Sequence, residues 1–267
     1  AFTAAAGGSV FLVLDLGRPE RLLNMFRVFK VTSPMSVGSW ILGSFATAAS
    51  LPALYEADKL TKQKLPLPRF ARKALGAAAG PAGVVAGVLG GPLAGYTAVL
   101  LGNTSNPTWN DAKKHLAYVF VSSASAAASG CAMVFTPVEH AGPARALGMA
   151  AAASDLAATK IMEENMEPET VVPLHKGKPG KLMKASEYLI AAGGVGTAVA
   201  AATKSRTLSV LSGLSLMAGS ACTRFGVLNA GIEAVKDPAT TIEPQKRRAA
   251  RKRAQEGLAH SVVTSKH

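Results

Sequence analysis

Long uncharged runs separated by short polar breaks organise this chain. Residues 1–14 (AFTAAAGGSVFLVL) carry no charge before Asp15, and Met35–Tyr55 forms a second run of 21 residues. Leu75–Leu101 follows with 27, Leu116–Val138 with 23, Tyr188–Thr203 with 16 and Thr207–Thr223 with 17. Ala146–Ser154 is shorter, its continuation interrupted by Asp155, Lys160 and Glu163. A helix that crosses a bilayer needs about 20 mainly apolar residues, with a range of roughly 17–25. Three runs meet that length outright, and two more do so with flanking residues that snorkel to the interface. The pattern predicts an all-α, polytopic membrane helix bundle with about seven visible spans. The first run lacks the basic start of a signal peptide and reads as the later part of a helix that begins upstream.

Two segments between the runs follow a different pattern. In GRPERLLNMFRVFK (17–30), Pro19 stands at a helix-starting position. Leu22, Leu23, Met25, Phe26 and Phe29 then alternate with Arg21, Arg27 and Lys30. That arrangement predicts an amphipathic helix lying at the membrane surface. Residues 163–184 (EENMEPETVVPLHKGKPGKLMK) hold three prolines and read as a polar loop. The domain reading is a bundle over 1–232 and a basic, largely disordered tail over 233–267.

Glycine and proline crowd the third run, at Gly76, Gly80, Pro81, Gly83, Gly87, Gly90, Gly91 and Pro92. Each costs about 1–3 kcal/mol in a soluble helix, whereas small residues let membrane helices approach closely. Gly76 and Gly80, then Gly83, Gly87 and Gly91, have the spacing for such packing. SSASAAASG (122–130) has the same small-residue character.

Composition agrees with this reading. Hydrophobic residues make up 49% and charged residues 17%, and the formal net charge is +13. A basic protein invites a nucleic-acid reading, but here the cations lie between apolar runs and in the tail, as membrane proteins place them. With seven spans, one side collects 18 Lys and Arg and the other nine. The first side, with the tail, is expected to be cytoplasmic; the basic loop at 59–73 works against this. Cys131 and Cys222 sit within apolar runs and read as small buried residues. Two cysteines are too few for an iron–sulfur cluster or a structural zinc, so any cluster belongs to a partner.

No GxSxG, GxxxxGK[ST] or HExxH motif occurs. His115, His140, His175, His260 and His267 lie at span ends, in loops or in the tail, so axial haem ligands within the spans are lacking. The expectation is a chain without haem or metal. Ionisable groups at span ends carry more information. Asp15 closes the first run with Arg18 three residues on, Tyr96 lies near the end of the third, and Asp111 and His115 introduce the fourth. Alternation of direction puts all of them at one membrane side, where they could bind quinone carbonyls and carry protons. Asp15 and Arg18 could equally pair and cap the surface helix. Asp155 and Lys160 either line a polar cavity or mark a shallow span.

LVLDLGRPERLLNMFRVFKVTSPMSVGSWIL (12–42) closely resembles the NrfD/polysulfide-reductase membrane-subunit family, with its DLGRP-R segment, amphipathic stretch and SPMS-x-GSW span opening. GYTAVLL (95–101), TWND (108–111) and CTRFGVLNAG (222–231) are looser matches. Val37 stands where the family commonly has Trp. The resemblance implies a bundle of usually eight helices, set in a bacterial or archaeal cytoplasmic (inner) membrane. Such a subunit exchanges electrons between menaquinone or ubiquinone and a four-cluster ferredoxin-like iron–sulfur subunit. A molybdopterin or multihaem catalytic subunit lies beyond that one. Tyr96 matches the family tyrosine associated with the quinone pocket, and Asp15 and Arg18 match its signature segment. Together with the span-end groups, the expected site has Tyr96, Asp15 and His115 in quinone chemistry, with Arg18, Asp111 and Trp40 helping to bind the head group. A secondary transporter using its Gly/Pro-broken spans and a purely structural anchor are the alternatives.

Overall fold

The computed structural model describes residues 2–15, 17, 20, 24, 26–27, 29–61 and 68–256. Among them the chain forms helices α1 (Phe2–Asp15), α2 (Pro34–Leu60), α3 (Arg69–Gly102), α4 (Pro107–Ala112) and α5 (Leu116–Phe135). They are followed by α6 (Gly142–Glu164), α7 (Pro168–His175), α8 (Gly177–Thr203), α9 (Arg206–Lys236) and α10 (Pro238–Glu256), with no strand among the described residues. Local chemistry sets several of the starts. The hydroxyl of Ser33 accepts from the Ser36 N–H (3.4 Å), and Pro34 follows at the first helical position. Asn106 and Pro107 do the same for α4, with the Asn106 side chain accepting from the Trp109 N–H at 3.3 Å. A side-chain acceptor followed by proline is a strong helix start, because it supplies one orphan donor with a partner and removes another.

All seven runs are helical, and among the described residues five helices, α2, α3, α5, α8 and α9, are long and apolar enough to cross a membrane. Helix α1 has 14 residues, and α6, although 23 long, carries Asp155, Lys160, Glu163 and Glu164. The loop expected at 163–184 is corrected, since α7 and the first turns of α8 lie there. Pro168 and Pro179 start helices instead of breaking them. The basic segment is helical through Glu256, and the expected boundary at 232/233 falls inside α9. The surface helix expected at 17–30 lies largely outside the described residues.

The chain divides into two compact units, 1–100 and 101–267. In the first, α1 packs on α2, and α2 and α3 run antiparallel. Tyr96 lies on Gly38, Phe45 faces Gly90, Tyr55 faces Gly76, and Arg72 pairs with buried Asp58 (Nε to Oδ2 2.7 Å). Gly80, Gly83, Gly87 and Gly91 meet nothing among the described residues, so the small-residue stripe of α3 is not a packed seam there. Val84 and Val88 on the same helix are about 70% exposed (69% and 71%), a surface stable in lipid but costly in water.

In the second unit, α5, α6, α8 and α9 form an up-down-up-down four-helix ring. Helix α5 packs on α6 and α9, and α8 packs on the same two. Here the glycines are the seam. Ile190 sits on Gly219, Leu216 on Gly193 and Met183 on Gly226, and the Gly130 and Gly213 backbones touch. Serine and threonine fill the interior beside Ala126, Met133, Ala152, Ile190 and Leu216. Tyr188, Val195 and Phe225 face outward. Small and hydroxyl-bearing residues inside with large apolar ones outside is how helices associate in lipid.

The α8–α9 hairpin turns through two residues. Lys204 takes the left-handed conformation (φ 51°), and Ser205 caps α9. Because a Cβ is strained there, Lys204→Gly is expected to raise resistance to detergent unfolding by about 0.5–1 kcal/mol. A loss of stability in that titration would show that the lysine side chain contributes more than its backbone costs.

Candidate functional site

The residues singled out from the sequence divide between the two units. In the first, the start of α2 and the end of α3 bring two separate motifs together. The space that a Cβ on Gly38 would need is filled by the Tyr96 ring. The glycine of SPMSVGSW is therefore the seat for the tyrosine of GYTAVLL, 58 residues on. The Tyr96 hydroxyl has no hydrogen-bond partner among the described residues, although a half-buried phenol ordinarily finds one. Apolar neighbours on α3 (Ala94, Ala98, Val99) offer none.

Trp40 belongs to a different wall. Two residues along α2 from Gly38, it lies about 200° around the helix. It meets Phe26 and Phe29 edge-on, with ring centroids 6.0 and 6.1 Å away. Phe26 and Trp40 head a shallow groove of about 550 Å³ running past Gly43, Thr47 and Leu51 to Ala82. Trp40 thus anchors the segment before α2, and Tyr96 is not among the groove's lining residues. Asp15 is the last residue of α1, and Gly17 follows with φ 66°. Arg18 lies outside the described residues.

In the second unit Asp111 is already engaged. Its carboxylate accepts the Glu167 N–H (2.7 Å) and the Thr170 hydroxyl, capping α7 from across the unit. That satisfies a helix start with a negative charge, the favourable sign at that end. His115 is the residue before α5 and makes no side-chain cap. It stands at one end of an apolar groove of about 980 Å³ between α5 and α6, lined by alanines and serines with Tyr118, Leu147 and Ile161.

The sequence drew less attention to a polar cavity of about 290 Å³ enclosed by α6, α7, α8 and α9. Asp155 and Lys160 both line it. Asp155 is 2% exposed and accepts from the Ser122 hydroxyl (3.1 Å). Near the other end, His175 Nε2 lies 3.5 Å from a Glu163 carboxylate oxygen. The signal was present in the sequence as Asp155, Thr159 and Glu163 at four-residue spacing, one face of a helix. Arg224 on α9 donates to the Phe120 carbonyl (3.1 Å) and lies 4.7 Å over the Phe120 ring. It was hidden in the motif CTRFGVLNAG.

Residues 1–140 match the family described as polysulphide reductase, NrfD. The match takes in the first unit, α4 and α5, and so contains the Gly38–Tyr96 contact, Asp111 and His115; 222–231 lie beyond it. No curated protein and no solved structure matches the chain.

Proposed function

The chain belongs to the NrfD polysulphide reductase family of oxidoreductase membrane subunits, and from that premise we propose that it passes electrons between membrane quinone and an iron–sulfur partner. The observation that carries this reading is the Tyr96 ring seated on Gly38. Close seating fixes the ring, and with it the direction of a hydroxyl that has no described protein partner. A quinone carbonyl is an acceptor of the right kind. Reduction of a quinone takes two electrons and two protons, and negative charge builds on the carbonyl oxygens before the protons arrive. A fixed donor aimed there stabilises that charge more than it stabilises the neutral quinone, which is how a preorganised donor speeds a reaction.

The roles of the other residues follow from their placement. Trp40 holds the chain before α2 through Phe26 and Phe29, and Asp111 holds α7, so neither is assigned to the head group. The electrons come from or go to a ferredoxin-like iron–sulfur subunit, which connects to a molybdopterin or multihaem catalytic subunit. The quinone is menaquinone or ubiquinone, and the membrane is a bacterial or archaeal cytoplasmic membrane. This chain supplies the binding surface and no haem or metal of its own.

A photoreactive quinone carried into membranes holding the assembled complex tests the site. Label is expected in the peptides containing Gly38 and Tyr96, and excess natural quinone should compete it away. Label confined to other parts of the chain, or none that is competed, would leave the subunit as an anchor.

A further inference from the structure

The cavity bounded by α6, α7, α8 and α9 has a definite polarity from one end to the other. Its inner end is the Asp155 carboxylate, buried at the middle of the ring, beside the Ser186–Thr223 hydroxyl pair, both residues of which are buried. Its outer end is rimmed by the Glu163–His175 pair and by exposed Lys160, Lys184 and Glu187. From Asp155 to Glu163 is eight residues of α6, or about 12 Å at 1.5 Å per residue. Thr159 stands midway on the same face. The volume, about 290 Å³, far exceeds the roughly 10–15 Å³ that one water needs, and Asp155, Thr159 and Thr223 place polar groups along a lining that also holds Leu156, Met183 and Ala191. A carboxylate placed deep in an apolar bundle is expensive, and such groups are kept where they face a watery cavity and move ions or protons.

We propose that this cavity is a one-sided, water-filled proton inlet that ends on Asp155. The step is balanced as a protonation. A hydronium in the cavity gives its proton to the Asp155 carboxylate, leaving water and a neutral carboxyl, and the reverse step returns it. Ser122 on α5 accommodates both states. Its single hydroxyl hydrogen has three acceptors in reach, the Tyr118 carbonyl (2.8 Å), the Val119 carbonyl (3.0 Å) and Asp155 Oδ1 (3.1 Å). Facing the carboxylate it donates to Asp155; facing the neutral acid it turns to a carbonyl and accepts the carboxyl proton.

The charged surroundings of Asp155 are accounted for on every side. Arg224 on α9 is the cation whose field acts on it, and its guanidinium is held in place over Phe120. On α6, Lys160 and Glu163 follow one and two turns later. His175 comes from α7, and Lys184 and Glu187 come from α8. These rim charges are mixed in sign, so the mouth neither strongly attracts nor strongly repels a cation. The proposal stands apart from quinone binding, because an inlet would be present in a plain anchor too.

The test uses the full-length chain in sealed membrane vesicles, with Cys131 and Cys222 replaced by serine. Single cysteines are placed at Thr159 and Ala191 on the cavity wall and at Val195, which is 66% exposed on the outer face of α8. A membrane-impermeant, cationic methanethiosulfonate is added from either side. Thr159→Cys and Ala191→Cys should react from one side only, at least ~10 times faster than Val195→Cys, because the reagent attacks hydrated thiolates. Infrared spectra of the Cys131, Cys222 chain should show a neutral-carboxyl band that appears as pH falls and shifts in D2O. Asp155→Asn should lack that band and Asp155→Glu should keep it. Cavity cysteines as slow as Val195→Cys, reaction from both sides, or a band unchanged in Asp155→Asn would each overturn the inlet.

Discussion

Trp109→Ala is expected to destabilise the four-helix unit by about 3–5 kcal/mol, the range for deleting a large packed aromatic. Trp109 lies in the six-residue helix α4, and its indole N–H donates to the Val227 carbonyl of α9 at 2.8 Å. A helical carbonyl has a second lone pair left after its own i+4 bond, and Trp109 uses it. The ring can come that close because residue 231, one turn on, is glycine; a Cβ there would occupy the ring's position. Asn106, the α4 cap, adds a second tie by donating to the Gly231 carbonyl at 2.7 Å. Removing the ring therefore opens a gap between α4 and α9 and leaves one carbonyl less well satisfied. Trp109→Phe keeps most of the packing and loses the donor, so about 1–2 kcal/mol is expected. Gly231→Val should match the alanine variant, since it drives the ring out from the other side. SDS titration of the purified chain in micelles measures all three. Equal stability of Trp109→Ala and the parent would show that α4 is dispensable to the ring.

The helices were legible in the sequence because the bilayer imposes a length on uncharged runs. Seven runs became seven helices, and the SPMS-x-GSW motif lies at the start of α2. What the runs did not disclose was which faces meet. The glycines of α3 have ideal small-xxx-small spacing, yet Gly83 and Gly87 touch nothing described, while Gly193, Gly219 and Gly226, without that regular spacing, each receive a neighbour's side chain. Spacing records that an approach is possible; the partner helix decides whether it happens. Residues 163–184 are largely helical for a similar reason. Proline breaks a helix interior, but Pro168 begins α7 at the turn where a missing N–H costs nothing.

The candidate site shows the same division. Tyr96 and Gly38 belong to motifs that could each be recognised, but their contact is a long-range fact that no local pattern holds. Asp111 and His115 are chemically suitable for proton or quinone work. The structure commits Asp111 to the cap of a helix starting 57 residues later, which only tertiary structure can show. Asp155 was visible as a charge in the wrong place. It took the positions of Ser122, Glu163 and His175 around it to turn an interrupted span into the wall of a cavity.

Tyr96→Phe is the variant expected to affect activity most without affecting the fold. The phenol lies six residues before the end of α3, about 9 Å of helix, deep enough to be shielded from bulk water and shallow enough for a head group near the interface. Phenylalanine keeps the ring on Gly38, so the α2–α3 contact survives and the proposed iron–sulfur partner should still assemble. Only the donor is lost. If that donor serves a quinone carbonyl, quinol-linked turnover of the assembled complex should fall by about 10–100-fold, equivalent to roughly 1.4–2.7 kcal/mol at the transition state. Gly38→Ala should lower turnover too, but through the ring: its Cβ displaces the tyrosine from its seat and moves a hydroxyl that is still present. The double variant separates the two effects. With the hydroxyl gone, displacing the ring has little more to remove, so Gly38→Ala/Tyr96→Phe should be about as slow as Tyr96→Phe alone, a non-additivity expected of groups acting as one unit. Full turnover in an assembled Tyr96→Phe complex would instead make Tyr96 the packing partner of Gly38 and nothing more.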